Sequence, residues 1–296
     1  MIIKNCPICN TREFSERIYE KKLPVDFNKV NFAGRKNPDG YHYEMLRCSG
    51  CSLLYASEIY NVEETNKLYQ ESIFDYVNEI NGLTKSYSNV LKESLKILEN
   101  NKDNFLEIGC GNGFMLEEAL RVGFKNVKGI EPSIDSICNA SNDIKKNIYN
   151  EVFDVNKIEK NHYDVVFIAM IIEHVADAKV FLNDIYKIIK PGGLIVCVCH
   201  DERHFMAKIL KDKHPIINDE HTAVFNKKAL HMIVNMNNYK NIRINNLKNF
   251  YSISYWLKLM PMPLVFKRFL NNNFSKILKK IIFGLKAGNL YLIAKK

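Results

Sequence analysis

The sequence predicts an α/β protein built on a doubly wound, mostly parallel sheet. Three observations predict it. Apolar strand patterns alternate with helical patterns from residue 104 to 199. The runs FLEIG, YDVVFIAM and LIVCVC are nearly continuous apolar stretches, as expected for strands covered on both faces. A chain of 296 residues with 47% hydrophobic content can also bury such a core and carry a smaller appended unit.

Each element follows from its periodicity and from the residues that interrupt it. The predicted strands are 104–109, 127–131, 148–153, 163–169 and 194–199, and the predicted helices are 114–122, 134–146 and 177–189. Pro191 and Gly192 separate the last helix from the fifth strand, because proline cannot continue a helix and glycine turns freely. Upstream, residues 61–101 have the apolar spacing of helices, and NLYLIAK after Gly288 predicts the last strand of the sheet.

A glycine-rich turn follows the first predicted strand, with Gly109, Gly111 and Gly113 downstream of Glu107. A dinucleotide fingerprint would need its third glycine at position 114, which is Phe114. This bulky residue argues against a pyrophosphate cradle. The tight turn at the carboxyl edge of the sheet, where ligands of such folds bind, is retained.

Glu131 ends the second predicted strand, where a carboxylate can accept both hydroxyl protons of an unphosphorylated ribose. The alternative is an acidic residue at the start of a helix, beside Pro132 and Ser133.

At these residues the sequence resembles the class I S-adenosylmethionine-dependent methyltransferases. The resemblance covers roughly residues 84–200, and it includes YDVVFIAMIIEHV and IKPGGLIVCV. It implies a seven-stranded Rossmann-like methyltransferase sheet that binds S-adenosylmethionine. The implied cofactor residues are Glu107 for the ammonium end, Gly109, Gly111 and Gly113 in the turn, Glu131 for the ribose, and Asp154 for the adenine amino group, with Glu151 as its rival.

Two CxxC pairs stand near the N-terminus, CPIC at Cys6 to Cys9 and CSGC at Cys48 to Cys51, with 38 residues between the inner cysteines. In a reducing compartment such pairs indicate metal binding rather than disulfides. Four thiolates complete the tetrahedral shell of a structural Zn²⁺. We therefore predict a zinc ribbon over residues 1–60, unless the two pairs are unrelated. The other cysteines are expected to be small buried apolar residues, namely Cys110, Cys138, Cys197 and Cys199.

A ribbon in front of the cofactor domain resembles a bacterial subgroup of these enzymes that methylates sugars in antibiotic and cell-surface saccharide pathways. Methyl transfer needs a positioned acceptor and a general base. His174 follows the fourth predicted strand and His221 follows the fifth. Glu220 and His221 match an acid and histidine pair of the subgroup, and such an acid can fix the histidine tautomer. Both histidines have the alternative of a purely structural role, and which of them is the base stays open here.

Three tyrosines of the helical region, Tyr69, Tyr76 and Tyr87, are equally placed in the sequence to close over the cofactor.

The positive charge belongs to the C-terminal quarter. Residues 221–296 contain 14 Lys and Arg and no Asp or Glu, whereas residues 1–220 contain 28 basic and 33 acidic side chains. This asymmetry predicts an anionic partner such as a phosphorylated substrate, a lipid headgroup or RNA, or else solvated lysines. Within it, residues 251–285 are predicted to form a basic amphipathic helical insertion. Such a segment can lie at a membrane interface, cap the sheet or form a dimer contact.

The predicted organisation is thus a zinc ribbon (1–60), a helical lead-in (61–101), a methyltransferase domain (102–250), a basic insertion (251–285) and a last strand (286–296). We expect a cytoplasmic enzyme, at most peripheral at the inner membrane surface, because the sequence has no signal-peptide pattern and no apolar run of about 18 residues. The expected acceptor is a small saccharide, nucleotide-linked or otherwise phosphorylated.

Two alternatives are an RNA methyltransferase and a non-catalytic cofactor-binding or scaffold protein. A nucleic-acid partner is not expected, because residues 1–60 mix basic with acidic side chains instead of forming a basic stripe. The sequence predicts neither the oligomeric state nor whether oxygen, nitrogen or carbon is methylated.

Overall fold

The structure is a computed structural model, and it describes residues 1–24, 39–99, 101–259, 278 and 281–296. The strands are β1 Ile2–Ile3, β2 Ser15–Tyr19, β3 Met45–Cys48, β4 Leu54–Ala56, β5 Glu58–Ile59, β6 Asn104–Ile108, β7 Asn126–Ile130, β8 Ile148–Tyr149, β9 Tyr163–Ala169, β10 Ile189–His200, β11 Ala223–Val224, β12 Lys240–Ser252 and β13 Ile282–Lys295. The α-helices are α1 Val62–Gln70, α2 Ile80–Leu95, α3 Phe114–Arg121, α4 Ile134–Cys138, α5 Asn142–Lys145, α6 Ala178–Ile188, α7 Phe205–Leu210, α8 Lys227–Met236 and α9 Ile253–Leu259.

The main sheet of the described chain has seven strands in the order β12-β13-β10-β9-β6-β7-β8. The strands from β10 to β8 are parallel, and β13 is inserted antiparallel between β10 and β12. One face packs against α6 and α8, and the other packs against α2 and α3. Because helices cover both faces, the central strands are buried throughout, as their continuous apolar sequences predict. The predicted doubly wound fold is confirmed.

Side-chain caps fix where several helices begin. Asp177 accepts hydrogen bonds from the amides of Lys179 and Val180 at the start of α6, at 2.9 and 3.0 Å. Ser133 caps α4 and Asn226 caps α8 in the same way. These caps satisfy amides that have no partner inside the helix, and they end each preceding loop at a defined residue.

Two predicted elements on the β8 side are shorter than expected. The predicted strand 148–153 pairs only at Ile148–Tyr149, because the amide group of Asn150 turns back to the carbonyls of Glu131 and Pro132. The predicted helix 134–146 is divided into α4 and α5, and the extended backbone of Ser141 lies between them. Cys138, at the end of α4, is exposed rather than buried, whereas Cys110, Cys197 and Cys199 are buried as predicted.

The prediction of a helical insertion over residues 251–285 is wrong at both ends. Strand β12 continues through Ser252, which pairs with Ile282 at the start of β13, so residues 282–285 are strand. Ile and Phe suit a strand as well as an apolar helix face, and pairing with β12 decides between the two. Residues 253–259 form α9, and residues 260–277 with 279–280 lie outside the described residues.

No helix in the described ranges is long and apolar enough to cross a membrane.

The N-terminal region shares its sheet with a strand from a later part of the chain. Its antiparallel sheet has the order β11-β4-β3-β2, and β11 comes from the chain that follows His221. The apolar core under this sheet is continuous with the core of the face that carries α6 and α8. The four-cysteine module, defined here as residues 1–24 and 39–60, is therefore packed onto the main sheet.

Candidate functional site

The glycine turn connects β6 to α3 at the carboxyl edge of the sheet. Gly109 and Gly111 have φ angles of 73° and 54°, which side chains disfavour. A Cβ atom at Gly109 would lie 2.2 Å from the Ile171 side chain, and one at Gly111 would lie 2.2 Å from the Tyr76 hydroxyl. Both positions therefore require glycine for conformation and for space. Gly113 also has a positive φ and directly precedes α3.

Glu131 fixes the second side of this turn. Its carboxylate accepts hydrogen bonds from the Gly111 amide and from the Ser133 amide, each at 2.8 Å. Burial raises the pKa of Glu131, and the two amide hydrogen bonds oppose that shift. The Ser133 bond agrees with the alternative of an acidic residue at the start of a helix, and the ribose contact of Glu131 stays a prediction.

Glu107 precedes the turn and has a buried oxygen that lacks a hydrogen-bond partner within the described residues, as has Asn112 with its Oδ1 in the turn itself. The Glu107 side chain is buried, and its unpartnered atom is Oε2. Burial raises the pKa of Glu107 well above its ordinary value, and the Glu131 carboxylate adds to the shift. A buried carboxylate oxygen without a donor fits a cationic ligand, because an ammonium group would supply both charge and hydrogen bonds.

The segment before α2 covers the turn. The Ser133 hydroxyl donates to the Ser72 carbonyl at 2.8 Å, and the Phe74 amide donates to Asp135 at 2.7 Å. These bonds bring Tyr76 over Gly111. The structure thus separates tyrosines that were equivalent in the sequence, since Tyr87 is instead buried in the core.

Asp154 and Glu151, the two candidates for the adenine end, are engaged within their own loop. Asp154 Oδ1 accepts hydrogen bonds from the Asn156 amide and side chain at 3.0 Å. Glu151 forms an ion pair with Lys157 at 2.6 Å. Their assignment to the cofactor stays a prediction.

Both candidate histidines lie in one cluster beyond β9 and β10. The rings of His174 and His221 are 4.6 Å apart between centroids, and those of His200 and His221 are 5.2 Å apart. His200 ends β10, whereas His174 follows β9. The strand-end rule predicted that both histidines lie near this edge, and the same rule applies to His200; their roles stay predictions.

The loop that carries His221 is held by its own hydrogen bonds. His221 Nδ1 donates to the Ile216 carbonyl at 2.7 Å, and Asn218 Oδ1 accepts from the amides of Glu220 and His221 at 2.9 Å. Because a carbonyl only accepts, the neutral His221 ring carries its proton on Nδ1 and its lone pair on Nε2. That tautomer is the one required of a base that acts through Nε2.

His174 differs from His221 in its hydrogen-bond partners. Its Nδ1 is 2.9 Å from the Tyr69 hydroxyl and 3.9 Å from Glu220 Oε2. Burial, together with the nearby His200, lowers the pKa of His174 to about 3. His174 is therefore neutral near pH 7 and is a weak proton acceptor. Its geometry suits a hydrogen-bonding role.

Glu173 is a buried acid of this site that the sequence analysis did not single out. It is 0% exposed, its Oε1 accepts from the His200 amide at 2.9 Å, and its Oε2 has no partner among the residues described. Burial raises the pKa of Glu173 to about 7. Its position beside His174, in the turn that follows β9, was the available signal.

Replacing Glu173 with Gln is expected to stabilise the apoprotein at alkaline pH. A carboxyl group with a raised folded-state pKa contributes stability below its unfolded pKa and loses it as the pH rises through the folded value, here about 7. With an unfolded value of about 4.3, the loss amounts to about 4 kcal/mol by pH 8 and to about 1 kcal/mol at pH 5. The amide stays neutral, so urea unfolding should show the variant clearly more stable than wild type at pH 8, with a much smaller difference at pH 5.

The matched control for this experiment is Glu16→Gln, since Glu16 is exposed. Equal pH dependence in wild type and Glu173→Gln would show that the folded protein already compensates the Glu173 charge.

The four predicted metal ligands converge. The sulfur atoms of Cys6, Cys9, Cys48 and Cys51 all lie within 4.8 Å of one another. In each CxxC turn an amide bonds back to the carbonyl of the first cysteine, from Asn10 at 2.8 Å and from Ser52 at 2.8 Å. A tetrahedral Zn²⁺ with bonds of about 2.3 Å spaces its sulfur ligands by about 3.8 Å, so this cluster fits that ion.

Three comparisons with known proteins bear on the site. The family model described as "Methyltransferase domain" matches residues 82–244, more than half of the chain. The chain is 34% identical over 95 residues to the ubiquinone biosynthesis O-methyltransferase of Bradyrhizobium sp. (strain ORS 278), which covers 31% of this chain and 37% of that protein. The corresponding protein of Maricaulis maris is 31% identical over 101 residues, which covers 31% of this chain and 38% of its own length.

Two solved structures are similar in fold. A SAM-dependent methyltransferase from Archaeoglobus fulgidus has a TM-score of 0.48 at 21% identity and covers 72% of this chain and 94% of its own. Phosphoethanolamine N-methyltransferase 2 of Haemonchus contortus, in complex with S-adenosyl-L-methionine, has a TM-score of 0.44 at 17% identity, with 72% and 56% covered.

Proposed function

The chain belongs to the methyltransferase-domain family, and on that premise we propose that it transfers a methyl group from S-adenosylmethionine to a hydroxyl group of a small saccharide-type acceptor. The observation that carries the proposal is the pair of buried carboxylates, Glu107 and Glu131, at a glycine turn that excludes side chains.

The residues of the turn fit this cofactor. Glu107, buried and with Oε2 unpartnered within the described residues, would accept the ammonium group. Glu131 would bind the ribose, and Gly109 and Gly111 would admit the methionine part. Tyr76 would close the pocket from above. The cofactor supplies an electrophilic methyl group on a sulfonium ion.

The histidine cluster supplies the acceptor side. His221, with its lone pair on Nε2, would take the proton of the acceptor hydroxyl as the new bond forms. His174, neutral at pH 7, and Tyr69 would orient the acceptor by hydrogen bonds. Glu220 lies 3.9 Å from His174 and would favour the positive charge that develops nearby.

The positive charge of two lysines supports a phosphorylated saccharide as the acceptor. Lys248 and Lys286 lie opposite each other in the β12–β13 ribbon. That part of the ribbon continues past His200, the last residue of β10, so both lysines lie beyond the carboxyl edge that carries the site. A nucleotide-linked or phosphate-bearing acceptor would meet them there.

Contact of residues 251–285 with a membrane also remains a proposal, and most of that segment lies outside the described residues. A nucleic-acid partner is not proposed. All eight cysteines are free thiols, which supports a reducing, cytoplasmic location and a structural Zn²⁺ on the four-cysteine cluster.

Replacing Glu107 with Gln is expected to weaken binding of S-adenosylhomocysteine about 10- to 100-fold, since a hydrogen bond to a charged group is worth about 1.5–3 kcal/mol. The wild-type affinity should rise with pH, because burial raises the Glu107 pKa and only the carboxylate attracts the ammonium group. The variant should lose that pH dependence. Isothermal titration calorimetry measures both effects.

Glu117→Gln is the control, because Glu117 lies in α3, where its carboxylate accepts a hydrogen bond from Ser141, and this variant should bind as wild type does. Absence of binding by wild type, together with binding of a nicotinamide compound, would contradict the cofactor assignment.

The acceptor class is tested with methyl-labelled cofactor and a panel of nucleotide sugars, a quinol precursor and bulk RNA. Label on a nucleotide sugar supports the proposal. Because the chain is similar to part of two ubiquinone biosynthesis O-methyltransferases, transfer to the quinol precursor is the principal outcome that would overturn the proposal. The matched stretches cover only 37% and 38% of the lengths of those enzymes. Transfer to RNA with strong salt dependence would favour the nucleic-acid alternative. Cofactor binding without transfer to any acceptor would favour a scaffold.

A further inference from the structure

The strand that follows His221 is built onto the four-cysteine module. In the antiparallel pair of β11 with β4, Val224 lies opposite Leu54 and Ala223 lies opposite Tyr55. The Ala56 amide also donates to the Thr222 carbonyl at 2.9 Å. Strand β4 begins directly after the second CxxC turn. His221, the candidate base, therefore lies just before β11, and the partner strand β4 begins close to the cysteine cluster.

A buried ion pair connects the same two parts. Arg47 donates to both carboxylate oxygens of Glu202, at 2.9 and 3.0 Å, and Glu202 has only 4% of its side chain exposed. Asn226 donates to Glu202 and to the Ser52 carbonyl, each at 2.9 Å. Arg47 and Ser52 flank the second CxxC turn, while Glu202 follows β10 and Asn226 follows β11. One carboxylate thus joins the module to the chain segments that carry His200 and His221.

The opposite side of the His221 loop is held by the main sheet. The Thr222 amide donates to the Glu173 carbonyl at 2.8 Å, and its hydroxyl donates to the Val175 carbonyl at 2.6 Å. The loop therefore lies between the turn after β9 and the module, and it needs both to keep its position. The hydrogen bonds described above for the glycine turn join it to β7 and to the segment before α2, so they do not depend on Arg47 or Glu202, although the Ile171 side chain from the turn after β9 also lies against Gly109.

We propose that Arg47 and Glu202 are positioning residues for the reaction, and that the four-cysteine module holds the His221 loop against the acceptor side of the site. This inference rests on the proposed role of His221. The bidentate geometry matters because two parallel hydrogen bonds fix the orientation of the CxxC turn as well as its distance. A single-point contact would fix the distance only.

The test compares Arg47→Met with Arg203→Met. Arg203 donates to the same carboxylate at 2.8 Å, but its side chain is half exposed and belongs to the main-sheet segment. Hydrogen exchange with mass spectrometry, on full-length metal-loaded protein without substrate, should show amides of residues 216–226 exchanging at least about tenfold faster in Arg47→Met. Residues 104–131 should be unchanged, and Arg203→Met should resemble wild type throughout.

Equal exchange in residues 216–226 for the two variants would overturn the proposal, as would no change in either. If Arg47→Met does not fold, Arg47→Lys replaces it in the hydrogen-exchange comparison. Lysine keeps the charge without the bidentate contact, and it should show the same local effect in a folded protein.

Two further measurements separate this proposal from the proposed function. Calorimetry with S-adenosylhomocysteine tests the cofactor site alone, and Arg47→Met should bind it as wild type does. Once an acceptor is known, Arg47→Met should lower kcat about tenfold or more with the KM for cofactor unchanged, since misplacing a catalytic group costs rate rather than cofactor affinity. Loss of cofactor affinity in Arg47→Met would contradict the local role.

Discussion

The His221→Asn variant is expected to lose about 10²- to 10⁴-fold in kcat, the usual contribution of a positioned general base. The asparagine amide can still donate to the Ile216 carbonyl, which His221 Nδ1 contacts at 2.7 Å, so the loop should keep its shape. What the variant lacks is the Nε2 lone pair. Calorimetry should show unchanged binding of S-adenosylhomocysteine, because Glu107 and Glu131 are intact.

The pH dependence of kcat provides an independent readout. In wild type, kcat should rise with pH as the base loses its proton, and the variant should lose that limb of the profile. His174→Asn is the matched control. Burial lowers the pKa of His174 to about 3, so His174 is already neutral at working pH. Its replacement should mainly raise the KM for the acceptor.

The opposite result, with kcat lost in His174→Asn and kept in His221→Asn, would show that His174 is the base and that His221 orients the acceptor. Full activity in the double variant would mean that neither histidine is the base.

The glycine turn and the position of Glu131 beside it could be predicted from the sequence because their determinants are local. Gly109 and Gly111 are dictated by positive φ angles inside one turn, and Glu131 lies at the end of the adjacent strand. A parallel sheet brings the ends of β6 and β7 together wherever it forms. The same rule predicted that His174 and His221 would lie near that edge.

The acceptor side could not be predicted in the same way, because its contacts join residues that are distant in sequence. Tyr69 and His174 are 105 residues apart, and Arg47 and Glu202 are 155 residues apart. No local pattern marks such pairs. The first residues of β13, 282–285, illustrate the opposite error, since they fit a helix by periodicity and are made a strand by pairing with β12, whereas the rest of β13 was predicted as a strand.

Replacing Cys51 with Ser is expected to abolish metal binding and to unfold the four-cysteine module. In small zinc-binding peptides the metal contributes about 10–16 kcal/mol at pH 7, and this free energy is folding free energy. Here β2, β3 and β4 are short strands beside the cluster, so they have little other support within the module. Elemental analysis should find one zinc per wild-type chain and none in the variant, and limited proteolysis should cut the variant within residues 1–60.

Cys138→Ser is the matched control, because Cys138 is exposed and lies outside the cluster. It should keep its zinc and its resistance to protease. The main sheet should survive in Cys51→Ser, since its central strands are buried by helices on both faces, so binding of S-adenosylhomocysteine should persist while residues 216–226 become exchangeable. Wild-type protein without zinc would show that the four cysteines are not a metal site, whereas retention of one zinc by Cys51→Ser would show that the other three thiolates hold the ion without Cys51.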